Sequence, residues 1–185
     1  MWVDWERPSS TTGRGGMPTS TNRTKWPIGG GAFSFQPGWF QGHGSAFIYL
    51  NLGLGRIPDN MSHPMITPFE IVGPTNNPYP GTVCLPQVPL PANVSVQVGD
   101  LATIQIVELA KHGAALYNCA DIEFAEPEDV PEVTRDNCFN SSEIGFRSLF
   151  TSSSLQSAAP VNPSPGVSSI LLPLMMVVMV RCWMM

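Results

Sequence analysis

The chain has 185 residues and a formal net charge of −5, from 9 Lys and Arg against 14 Asp and Glu. That balance leaves no basic footprint, so nucleic acid is excluded as the expected partner. Charged residues make up only 12% while Gly (17) and Pro (19) are abundant, which leaves little material for long helices and predicts short strands joined by many turns.

In chain order, residues 1–31 show little periodicity and carry Gly15, Gly16, Pro18, Pro27, Gly29, Gly30 and Gly31, the marks of a loop-rich segment. Strands are expected from about Ala32 onward. In 45–52, Ala46, Ile48, Leu50 and Leu52 alternate with Phe47, Tyr49 and Asn51, the period of a half-buried strand. Pro68 interrupts 66–72 and predicts an edge strand at best, because proline cannot donate to a ladder. Residues 94–98, the turn Gly99-Asp100 and residues 102–109 are predicted to form a hairpin. In 116–124, Leu116, Asn118, Ala120, Ile122 and Phe124 share one face, and Tyr117, Cys119, Asp121 and Glu123 the other. About seven short strands favour an all-β fold, an immunoglobulin-like (fibronectin III-like) β-sandwich with disordered N- and C-terminal segments.

The C-terminal end predicts location. Residues 151–169 are rich in Ser, Ala and Pro and carry no charge, and 170–180 are apolar. That apolar run is too short to span a bilayer, which takes ~20 residues. Small residues, a polar spacer and a short apolar end form the pattern of a glycosylphosphatidylinositol-anchor signal, with Ser157 as the expected attachment residue. A short core helix is the bland alternative, and Pro173 and the linker argue against it. The expected organisation is a loop-rich segment 1–31, a sandwich 32–140, a Ser/Pro linker 141–169 and an anchor signal 170–185. The expected place is the outer face of the plasma membrane or the cell wall. An anchored chain needs a secretory leader, and the first residues lack its basic-then-apolar pattern, so the natural start is expected upstream. Sequons at Asn22, Asn60, Asn93 and Asn140 agree with secretion.

Cys84, Cys119 and Cys138 are spread through the body and Cys182 lies in the tail. No CxxC pair supports a zinc ribbon or a thioredoxin-type site, and scattered cysteines in a secreted setting read as disulfides. Three in the body leaves one without a partner of its own.

Four segments together carry a resemblance: Asn22-Arg23-Thr24-Lys25-Trp26-Pro27 with Gly29-Gly30, His43-Gly44-Ser45-Ala46, Val83-Cys84-Leu85-Pro86, and Leu116-Tyr117-Asn118-Cys119-Ala120-Asp121-Ile122. In this order they resemble the fungal copper acquisition factor family, which is similar to lytic polysaccharide monooxygenases. The resemblance implies a β-sandwich, a signal peptide, a lipid anchor and a copper site serving uptake at the cell surface. The site it implies is a brace: a terminal His binding through amine and ring, a second His and a nearby Asp. Copper(II) favours such nitrogen and oxygen ligands. Residue by residue, His43 falls on the second His and Asp121 on the Asp. The terminal His has no counterpart, since Trp2 to Trp5 stands about where it belongs, and the expected Cys-Gly-Gly reads Arg14-Gly15-Gly16. With that cysteine missing, Cys84 is expected to pair with Cys138 and Cys119 to be left over.

Plainer readings stand beside these. His43 between two glycines also suits a solvated loop, and His63 and His112 read as surface residues in turns. Asp121 lies mid-strand, where Asp is disfavoured. Its partner is either copper, or Arg and backbone N–H groups. The acidic run Glu123, Glu126, Glu128, Asp129, Glu132 and Asp136 reads as a solvated loop. The nucleophile-elbow and phosphate-loop patterns are absent. A copper-binding surface protein rather than an enzyme is the first expectation. The alternatives are a copper-dependent oxidative enzyme on polysaccharide, with Trp26, Trp39 and Phe40 as a sugar platform, and a wall or adhesion module whose metal site has decayed.

Overall fold

The computed structural model describes residues 19–38, 44–73 and 81–149. The chain divides after Phe150 into two units, and the described residues belong to the first. The N-terminal and C-terminal segments expected to be disordered, the linker beyond Leu149 and the anchor signal with Ser157 and Cys182 lie outside the described residues.

Among the described residues there is no α-helix. The strands are β1 Thr24–Pro27, β2 Gly31–Phe35, β3 Ser45–Leu54, β4 His63–Pro64, β5 Phe69–Val72, β6 Val83–Val88, β7 Leu101–Ala110, β8 Ala115–Ala125 and β9 Gly145–Ser148, with one 3₁₀ turn at Pro127–Asp129. The large sheet runs β1-β8-β7-β3-β5-β9, with β4 added to β3, and β2 and β6 form a second, two-stranded sheet. This sandwich-like all-β arrangement agrees with the composition. The backbone of β3, β7 and β8 is antiparallel in unbroken register, Ile48 opposite Glu108 and Glu108 opposite Leu116. β1 runs parallel to β8, Thr24 opposite Ile122.

The core lies between the two sheets. Ile48, Leu50 and Leu52 of β3, Ile104 and Ile106 of β7, and Ile122 and Phe124 of β8 are buried against Phe33 and Phe35 of β2 and Val83 and Val88 of β6. The period-two patterns of 45–52 and 116–124 therefore face inward as expected. Trp26 belongs to this core too. It is 2% exposed, stands edge-on to Phe124 at 6.0 Å between ring centroids, and donates its indole N–H to the Ala32 carbonyl at 3.3 Å. It is thus removed from the expected sugar platform, and Trp39 and Phe40 lie outside the described residues.

Three strand expectations differ from the structure. Residues 94–98 are not a strand. Val94 and Val96 only pack against the core, and the Gln97–Asp100 turn delivers the chain straight into β7, with the Gln97 N–H held by Asp100 Oδ2 at 2.8 Å. The hairpin is β7–β8 instead. The segment around 66–72 is not an edge, because β5 starts just after Pro68 and β9 pairs on its far side, Glu70 opposite Arg147. β1 and β9 fall in stretches expected to be loop and linker. Each is only four residues long, too short to show a period, and each exists through its pairing with a distant strand.

The smaller sheet is stapled to the end of the domain. Cys84 and Cys138 form the expected disulfide, with Cα atoms 5.3 Å apart. Beyond it, Asn140 Oδ1 accepts the Cys84 N–H at 2.7 Å and Ser141 Oγ accepts the Thr82 N–H at 2.7 Å.

Candidate metal centre

The outer face of β7 and β8 places Thr103 opposite Asp121 and Gln105 opposite Cys119. Thr103 is fully buried and Gln105 is 5% exposed, so polar groups here must find protein partners. Asp121 does. Its Oδ2 accepts the backbone N–H of Ser20 at 2.6 Å and its Oδ1 accepts the Thr103 hydroxyl at 2.6 Å. The Arg23 guanidinium stands 4.0 Å from Oδ1, and the two side chains are 6% and 8% exposed. Arg23 is itself tied down. One end of its fork donates to the carbonyls of Ala102 at 2.8 Å and Ile122 at 3.2 Å, and the other to the carbonyl of Arg56 at 2.8 Å. Of the two partners that the strand position of Asp121 allowed, the described surroundings supply arginine and backbone N–H. Each oxygen of Asp121 already accepts a donor, and the Arg23 guanidinium stands 4.0 Å from Oδ1, so a metal ion there would meet a fixed positive charge beside the carboxylate. Among the described residues these surroundings do not fit a metal ion.

His43 lies outside the described residues. The segment on either side of it is anchored at one end of the large sheet. Before it, the Gly38 N–H donates to Glu108 Oε2 at 2.8 Å, and Glu108 is fully buried on β7. After it, the Gly44 carbonyl accepts the Gly73 N–H at 3.1 Å and the Ser45 carbonyl accepts the Lys111 N–H at 3.3 Å. The β7–β8 turn, with His112, therefore sits beside the start of β3. At the same end the outer face holds a cavity of about 540 Å³ lined by Phe47, Glu70, Lys111 and Arg147 among others.

The register separates these two places. β3 pairs with β7 from Ala46 opposite Ala110 to Leu54 opposite Ala102, and Gly53, Thr103 and Asp121 stand in line across three strands. Ser45 and Gly53 are eight residues apart on β3, which at ~3.3 Å per residue is ~26 Å. The structure does not bring Asp121 to the end of the sheet that the His43-Gly44-Ser45 run enters.

The other titratable groups are dispersed. His63 is half-buried on β4 with Nδ1 3.2 Å from the Leu52 carbonyl, less exposed than a turn histidine was expected to be. His112 is exposed, 3.5 Å from the Ala114 N–H. The acidic run from Glu126 to Asp136 is exposed, as expected, and Asp129 pairs with Lys25 at 3.7 Å. Among the described residues no group of three His, Cys, Asp or Glu side chains is placed to hold a metal ion. Cys119 keeps its thiol. Asn22, Asn60, Asn93 and Asn140 are all exposed. Asn93 adopts φ 66°, a conformation that Asn tolerates better than most residues.

A family model described as "Copper acquisition factor BIM1-like" matches residues 2–143. The chain belongs to the BIM1-like copper acquisition factor family. Curated relatives agree. A "Lytic polysaccharide monooxygenase-like protein X325" of Aspergillus fumigatus is 68% identical over 183 residues, covering 99% of this chain and 73% of the relative. A "Lytic polysaccharide monooxygenase-like protein" of Emericella nidulans is 70% identical over 156 residues, 84% of this chain and 62% of the relative. A protein X325 of the same description in Hypocrea jecorina is 60% identical over 144 residues, 74% of this chain and 62% of the relative. The chain thus spans less than two thirds of the length of the second and third relatives. No solved structure matches it. The matched residues 2–143 include all four segments read from the sequence and both cysteines of the disulfide.

Proposed function

We propose that this member of the copper acquisition factor family binds copper at the outer face of the cell, held there by a lipid anchor, and serves binding rather than catalysis. The observation that carries the reading is the family match over residues 2–143. His43, which falls on the second histidine of the family's brace, is the residue expected to hold the metal. Copper(II) is suited to imidazole nitrogen. The uncharged Ser/Pro run and the short apolar tail support the anchor, and the exposed sequons and the disulfide suit an oxidising, secretory route. Titration of the full chain with Cu(II), followed by electron paramagnetic resonance, tests it. His43→Ala is expected to weaken binding at least tenfold, and equal affinity in the variant and the wild type overturns the assignment.

A second reading is favoured by the names of the relatives, which are monooxygenase-like. In it the copper-loaded protein oxidises a polysaccharide. The burial of Trp26 removes one aromatic from the platform such an enzyme needs. Copper-loaded protein incubated with reductant, chitin and glucans is expected to release no oxidised oligosaccharides, and their appearance favours the enzyme. The remaining reading, a wall or adhesion module with a decayed site, predicts that wild type and His43→Ala cells grow alike under copper limitation.

A further inference from the structure

We propose that Asp121 is a clamp for the chain segment that precedes β1, and not a metal ligand. Three observations carry this. Its two oxygens are engaged from different elements, by Ser20 N–H at 2.6 Å from the segment before β1 and by the Thr103 hydroxyl at 2.6 Å from β7. Its charge is balanced in place by Arg23, whose other contacts run to carbonyls of β7, of β8 and of Arg56 just beyond β3. Its register position lies in line with Gly53, ~26 Å along β3 from Ser45. The chain enters β3 at Ser45, so Asp121 stands at the other end of that strand's register.

The physical logic is that of a buried ion pair whose carboxylate accepts a donor on each oxygen. A carboxylate 8% exposed needs compensation, and here it is supplied by one backbone N–H, one hydroxyl and one guanidinium. The product is a fixed path for residues 20–23 against the outer face of β7 and β8. β1 follows at once and pairs in parallel with β8, Thr24 opposite Ile122. Parallel pairing of a four-residue strand is weak by itself, and the clamp holds the chain at the first residue of the run. Asp121 is therefore a positioning residue for the described residues 20–23 that lead into β1.

The test uses the full chain and two independent readouts. The first needs no metal. Melting of the apoprotein is measured for wild type, Asp121→Asn, Asp121→Ala, Thr103→Val and the Asp121→Ala/Thr103→Val double variant. Asp121→Ala is expected to lower Tm by about 10 °C, Asp121→Asn by less because its amide oxygen still accepts one donor, and the double variant by clearly less than the sum of the singles. Unchanged melting of Asp121→Ala, or strict additivity with Thr103→Val, overturns the clamp. The second readout is the Cu(II) resonance spectrum, and it rests on the copper-binding reading. The spectra of Asp121→Asn and wild type are expected to superimpose, whereas altered g and hyperfine values in the variant overturn the proposal. Should the wild type bind no Cu(II), the proposed function fails while the clamp stands or falls on the melting data alone.

Discussion

At the scale of single residues, the buried charges of this domain sort by what they hold. Glu108 is fully buried and accepts the N–H of Gly38, fixing the chain five residues before His43. Glu108→Ala is expected to cost about 1–3 kcal/mol by leaving that donor without its acceptor. Glu108→Gln, whose amide oxygen can accept the same N–H, is expected to cost less, and urea denaturation of the pair measures both. Arg23 closes three carbonyls at once. Arg23→Met strips the charge balance from Asp121 and is expected to cost about 3 kcal/mol, read in the same denaturation experiment. Neither role was legible in the sequence. Glu108 sits among apolar residues in a strand pattern that is otherwise regular, and its role as acceptor for the Gly38 N–H shows only in the fold. Asp121 was legible as a carboxylate in need of a partner, but Ser20 lies 101 residues away and no local pattern names it.

At the scale of elements, what was legible is what alternates. β3 and β8 showed their inner and outer faces in the sequence because side-chain direction has a period of two and requires no knowledge of neighbours. Residues 94–98 alternate as well, and still form no strand, because a strand needs a ladder partner and the turn ending at Asp100 leaves none. The Cys84–Cys138 disulfide closes a 54-residue separation. Cys138→Ser is expected to cost about 4 kcal/mol on the chain-entropy argument, measured by thermal melting. Alkylation of the denatured, non-reduced domain is expected to label Cys119 and to spare Cys84 and Cys138. Gly73 shows where a close approach sets the residue type. It has φ 114°, and a Cβ there would clash with the Glu143 carbonyl oxygen beside β9. Gly73→Ala is expected to loosen the β5–β9 pairing, visible as faster amide exchange in Phe69–Val72 and Gly145–Ser148.

At the scale of the whole molecule, the proposal is an anchored, glycosylated surface protein. Cells expressing the full-length natural chain are expected to shed it in soluble form on treatment with phosphatidylinositol-specific phospholipase C, and the shed protein is expected to lose mass on N-glycan removal. Protein that stays in the cytosol without glycans overturns both. The exposed sequon residue Asn140 has its Oδ1 bonded to the Cys84 N–H. A glycan joins the amide nitrogen, so this hydrogen bond can persist in the modified protein.

What the sequence by itself determined were the properties that depend on neighbours along the chain. These are the all-β class, from scarce charge and abundant Gly and Pro, the inward faces of the long strands, and the family, from four short segments in order. The tertiary structure decided everything that depends on register. It moved Trp26 into the core, made strands of 24–27 and 145–148 by pairing them with β8 and β5, and put Asp121 in line with Gly53, eight residues along β3 from Ser45. The reason is geometric. Rise along a strand accumulates at ~3.3 Å per residue, so the end of the sheet at which a strand residue such as Asp121 stands is set by the pairing of β3, β7 and β8 and not by its place in the sequence.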